Sequence, residues 1–142
     1  MVQFVIKAWV LFWLFRISME DIRSYTIPNI YTAAILAASP LLCTVPIHLR
    51  VLAAVFPAVL IPLMGMGDVK LYGALGFVLG PFTLLQIACI SMLTGGIYAA
   101  ALLIFRRAGK KDRIAFGPFI AGAAAFVMIC PSGLSVLFAC VP

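Results

Sequence analysis

Four acidic side chains occur in the 142 residues of this chain: Glu20, Asp21, Asp68 and Asp112. Asp112 lies among Arg106, Arg107, Lys110, Lys111 and Arg113, where it reads as a solvated counter-charge. Glu20 and Asp21 are adjacent, about 100° apart on a helix, so they do not share a face. Asp21 shares its face with Ile17, Ser18, Ser24 and Tyr25, and with no charge. Asp68 follows Met64-Gly65-Met66-Gly67, whose glycines remove side-chain bulk around it. Pro57 and Pro62, just upstream, withhold backbone donors and predict an irregular approach to it. Two neighbouring carboxylates that share one proton supply a base for water and an acid for a leaving amine, the needs of peptide hydrolysis. Carboxylates at a membrane also carry ions and protons. Spacing alone leaves three readings open: a hydrolytic pair, a small ion or proton transporter, and a structural membrane subunit whose aspartates meet basic residues.

Other chemistries find little material. The single histidine, His48, has no partner nearby in sequence. Cys43, Cys89, Cys130 and Cys140 form no CxxC pair and read as small buried hydrophobes. Neither a Ser–His or Cys–His set nor a cluster of metal ligands is evident, so no metal and no cofactor is expected.

The elements that position the carboxylates follow from composition. Hydrophobic residues make up 65% of the chain and charged ones 10%, with a mean hydropathy of +1.22. A soluble domain carries about 25% charged residues, so lipid is the expected solvent for most of this one. The net charge of +6 is spread thinly between apolar runs. That pattern marks membrane topology rather than a nucleic-acid-binding face. The apolar run after Lys7 lacks a small-x-small cleavage site and leads into Arg16, Glu20 and Asp21, so it is read as a retained first span.

Charges, prolines and glycines divide the chain into an all-α, polytopic membrane protein of about six spans, near 2–20, 29–47, 51–65, 68–80, 82–105 and 116–139. Residues 1–142 form a single domain in this reading. The stretch 68–105 admits two descriptions, two short spans hinged at Gly80-Pro81 or one long helix with a re-entrant piece. Two spans put Arg23, Lys70 and the run from Arg106 to Arg113 on one side and leave Lys7 and Arg50 at the other membrane edge. Such a Lys/Arg bias marks the cytoplasmic face. Both termini then lie on the non-cytoplasmic side, and the basic run serves as an orienting loop that touches anionic lipid. Asp21 ends the first span and Asp68 begins the fourth, so both meet the cytoplasmic face although 47 positions separate them.

Three motifs carry a family resemblance. The segment Asp21-Ile-Arg-Ser-Tyr-Thr-Ile27-Pro28-Asn29 resembles the first aspartate motif of type IV prepilin peptidases, an aspartate followed by an IPN-like turn. Gly65-Met66-Gly67-Asp68-Val69-Lys70 matches the second, the GxGD motif with its following lysine. Phe116-Gly117-Pro118-Phe119, opening the last span, is similar to a further signature of the family. The resemblance covers nearly the whole chain. It implies a membrane-embedded aspartyl endopeptidase of the bacterial inner membrane, multi-pass, with its active site facing the cytoplasm. Asp21 and Asp68 carry over as the catalytic pair, and Gly65, Gly67, Lys70, Pro28, Asn29, Gly117 and Pro118 as motif support. Lys70, two positions from Asp68, reads first as an orientation anchor directed away from it. The implied substrates are prepilin or pseudopilin precursors, which lose a basic leader. The chain begins at its first span and shows no cysteine tetrad, so it resembles compact members serving tight-adherence (Flp-type) pili, and methylation of the new amino terminus is not expected.

Overall fold

The computed structural model describes residues 2–37, 46–60, 65–105 and 115–130. Among them the chain is all-α, with six helices: α1 (Val2–Ser24), α2 (Asn29–Leu36), α3 (Ile47–Val55), α4 (Met66–Leu79), α5 (Pro81–Ile104) and α6 (Gly117–Ile129). A 3-10 turn, Phe56–Leu60, continues α3 and contains Pro57, which agrees with the irregular end expected there. Pro62 lies outside the described residues, as do the basic run from Arg106 to Arg113, residues 38–45 of the second predicted span and 131–139 of the sixth, while Ile47, expected to end the second span, instead opens α3.

Prolines and glycines set the helix ends. Pro28 and Pro46 stand just before α2 and α3 in extended backbone, where no amide hydrogen is needed. Gly80 separates α4 from α5 at φ 88°, a left-handed value open to glycine, and Pro81 restarts the helix. The stretch 68–105 is therefore two helices. They fold back on each other, because Tyr72 of α4 and Ser91 of α5 share a buried hydrogen bond while Leu84 reaches Gly76 nearer the turn. At 24 residues, α5 is long and apolar enough to cross a membrane. With 14 residues, α4 spans only about 21 Å at 1.5 Å per residue.

Helix α4 forms the centre and packs against α2, α3 and α5. Its Leu71, Tyr72, Leu75 and Val78 are buried in a common core with Ile87 of α5 and Ile120 and Ala124 of α6. Helix α1 packs on α6 and α2. Its buried positions are Val10, Leu14, Ile17 and Asp21, a stripe at helical spacing that ends in the carboxylate. At the far end of α4, buried Arg50 of α3 donates Nε to the Phe77 carbonyl at 2.7 Å and lies 4.4 Å from the centre of the Phe77 ring. A cation there meets the carbonyls of a last helical turn. Arg50 and Asp68 thus mark opposite ends of one helix.

Small residues allow the close approaches. A Cβ on Gly73 would lie 3.0 Å from the Ala54 carbonyl oxygen, and one on Gly76 would lie 2.6 Å from that of Ala53. Gly95 leaves room for the Phe116 ring, whereas Gly96 beside it meets nothing within 4 Å. Cys89 and Cys130 are exposed free thiols rather than buried hydrophobes, and Cys43 and Cys140 lie outside the described residues.

Candidate active site

The three motifs converge on one end of the bundle. The last turn of α1, the Tyr25–Pro28 connection, the first turn of α4 and the start of α6 enclose a cavity of about 560 Å³. Asp21 and Asp68 both line it, and the charge of Asp21 is felt at Asp68.

The two carboxylates differ in surroundings. Asp21 is 5% exposed, and its Oδ2 accepts the Gly117 backbone N–H at 2.7 Å. Gly117 opens α6 with Pro118 beside it, so Asp21 sits on the amide-rich start of a helix contributed by another part of the chain. A Cβ on Gly117 would fall 2.7 Å from that oxygen, which explains glycine there. Phe116 anchors this junction by laying its ring into the gap at Gly95. Asp68 is half-buried in the first turn of α4 and reaches back to the backbone N–H of Gly65. An acid in the third helical position commonly closes on the capping residue in this way. Asp21 is therefore held between elements, while Asp68 is held by its own turn.

The first and second motifs interlock. A Cβ on Gly67 would lie 3.2 Å from the Cβ of Ile27, so this glycine lets the IPN segment lie flat on the start of α4. Lys70 donates its Nζ to Asn29 Oδ1 at 3.0 Å. Lys70 also lines the cavity together with Asp68. Its ammonium is thus bonded to α2, a contact that the sequence reading did not foresee. Pro28 and Asn29 start α2 as expected, and Asn29 additionally ties α2 to α4.

Thus the structure brings together Asp21, Asp68, Gly65, Gly67 and Lys70 around one cavity, with Asn29 and Gly117 bonded to its lining residues. Sequence reasoning did not single out Tyr25 and Thr26, which also line it. Their only signal was their place inside the first motif. His48 is exposed on α3, two residues from Arg50 and so by the far end of α4.

One buried and one half-buried carboxylate thus line a glycine-shaped cavity at one end of an all-α bundle, an arrangement of the kind that membrane-embedded aspartyl peptidases require. The chain belongs to the type IV leader peptidase family, whose profile matches residues 8–100. That family is membrane-bound and comprises aspartic endopeptidases. The match includes Asp21 and Asp68 and ends before the Phe116–Phe119 segment. The chain is also similar to a prepilin leader peptidase/N-methyltransferase of Bacillus subtilis (strain 168), being 38% identical over 61 residues. The similar segment is 43% of this chain and only 25% of that relative. No solved structure gives a significant match.

Proposed function

We propose that this protein removes the leader peptide from prepilin- or pseudopilin-type precursors, with Asp21 and Asp68 as the catalytic pair. The observation that carries this reading is that two carboxylates, distant in sequence, line one cavity between the three motif segments. Two like charges in a confined site favour a single shared proton. In this reading Asp21, fixed by the Gly117 N–H, carries the charge, and Asp68 beside the same cavity keeps the proton.

Hydrolysis then runs through side chains present in this chain. Asp21 takes a proton from water as the water oxygen bonds to the scissile carbonyl carbon. Asp68 gives its proton to the carbonyl oxygen, forming a tetrahedral diol. Asp21 passes its proton to the nitrogen as the C–N bond breaks, and Asp68 recovers a proton as the carboxyl product forms. Both groups end as they began.

The proposed setting is the bacterial inner membrane, crossed six times, with both termini outside and the cavity facing the cytoplasm. The hairpin of α4 and α5 supports this, because it returns the end of α5 to the end of α4 that carries Asp68. The basic run from Arg106 to Arg113 follows α5 in the sequence and on this reading belongs to the cytoplasmic side, as the Lys/Arg bias requires. Membrane lipid is the expected solvent of the exposed apolar faces, such as Phe12 and Phe15 of α1 and Leu93 and Ile97 of α5. A transport role is less well supported. Both carboxylates sit at helix ends beside an open cavity, not midway along helices.

The test is co-expression with a prepilin, scored by loss of its leader. Asp21→Asn and Asp68→Asn should each abolish cleavage while the protein still accumulates in membranes. Continued cleavage by both variants would end this reading. Reporter fusions after residue 110 and at the C-terminus check the proposed orientation, and the same compartment for both would contradict it.

A further inference from the structure

Tyr25 has a backbone conformation that its side chain does not favour. At φ 51° it is the sole non-glycine residue in the left-handed region among the described residues. It directly follows α1, the position where a helix commonly ends on glycine because a Cβ is disfavoured there. An aromatic residue in this conformation is an outlier, and such outliers concentrate at functional sites.

Neighbouring bonds hold the outlier in place. The Tyr25 N–H donates to the Asp21 carbonyl at 2.9 Å. Ser24 Oγ donates to the Glu20 carbonyl at 2.9 Å, with the Thr26 carbonyl as an alternative acceptor at 3.2 Å, and accepts from Thr26 Oγ1 at 3.0 Å. The turn is thus fixed from both sides with the ring pointing outward. That ring packs on no other aromatic ring among the described residues and is 51% exposed, yet it lines the cavity that holds Asp21 and Asp68.

We infer that Tyr25 is a substrate-docking residue, whose ring packs against the extended peptide on the leader side of the scissile bond. This rests on the peptidase reading above. Asp21 ends the buried stripe of α1, and Tyr25 lies beyond it, directly after the last residue of the helix. A precursor whose apolar segment lies alongside the helices and whose scissile bond reaches the carboxylates must pass its leader over this rim. A flat, rigid ring gives large contact area there at little cost in side-chain entropy.

The backbone argument supplies a clean test. Tyr25→Gly and Tyr25→Asn both suit the left-handed turn and both remove the ring. Purified in detergent, each should melt no lower than the wild type. With a prepilin substrate, KM should rise about tenfold, the scale of losing one aromatic contact, while kcat changes less than about twofold. Tyr25→Phe should keep wild-type KM, since the ring and not the hydroxyl makes the contact. Wild-type KM in the Gly and Asn variants would overturn the inference and leave the peptidase reading intact. A lower melting point with reduced membrane abundance in both would overturn it too, by making Tyr25 an interfacial anchor. Absence of cleavage by the wild-type protein would overturn both readings together.

Discussion

Replacing Gly117 by alanine tests how the start of α6 positions Asp21. The new Cβ would stand 2.7 Å from Asp21 Oδ2 and 3.0 Å from its Cβ and Cγ. Ordinary carbon contacts lie near ~3.5–4.0 Å, so the carboxylate must retreat by roughly 0.5–1 Å. The retreat stretches a hydrogen bond that is now 2.7 Å. Overpacking of this kind costs about 1–3 kcal/mol of stability. Displacing a catalytic group by ~1 Å costs on the order of 10²-fold in rate. Gly117→Ala should therefore accumulate at a moderately reduced level and cleave about a hundredfold more slowly per folded molecule. Gly122 is the control, because it lies on the same helix and a Cβ there meets nothing within 4 Å. Gly122→Ala should keep full activity and gain roughly 0.5–1 kcal/mol of stability from the better helix former. The assay is leader removal from a prepilin at saturating substrate, normalised to folded enzyme. Wild-type turnover by Gly117→Ala would refute the argument that this N–H holds the working position of Asp21.

Other perturbations probe the frame around the site. Gly76→Ala puts a Cβ 2.6 Å from the Ala53 carbonyl oxygen and 2.8 Å from Leu84. It should lower stability by about 1–3 kcal/mol, read as a lower thermal midpoint, while Gly96→Ala, like Gly122→Ala, should raise the midpoint slightly, since a Cβ there meets nothing within 4 Å. Tyr72→Phe removes a buried hydrogen bond to Ser91. Because Ser91 keeps its bond to the Ile87 carbonyl, the loss should stay within about 0.5–1.5 kcal/mol, with cleavage retained. Asn29→Ala and Lys70→Met each open the exposed 3.0 Å bond between α2 and α4. Their effects on stability should be coupled by no more than about 1 kcal/mol in a double-mutant cycle, and strictly additive effects would show that the bond contributes nothing.

Some of this site is legible without coordinates. In a chain with 65% hydrophobic and 10% charged residues, each carboxylate is costly enough to be noticed. Gly80-Pro81 also reads as a break, and φ 88° at Gly80 bears that out. The buried face of α1 was not legible. Val10, Leu14 and Ile17 are buried while Trp9, Phe12 and Phe15 are exposed, yet all six are apolar. Periodicity separates core from surface only where the surrounding solvent rejects apolar side chains, and lipid does not. Gly95 and Gly96 are likewise indistinguishable as letters, although only the first receives a ring.

Taken alone, the sequence determined the family, the two rare aspartates and, through its Lys/Arg bias, the side on which they are expected. These are properties of composition and order along the chain. Tertiary structure decided that Gly117 bonds Asp21 across 96 positions, that Lys70 reaches Asn29, and that Tyr25 closes α1 with a positive φ. Each depends on which helix ends meet and at what distance. In an apolar chain, that choice comes from close packing at glycines rather than from any pattern a reader of residues can see.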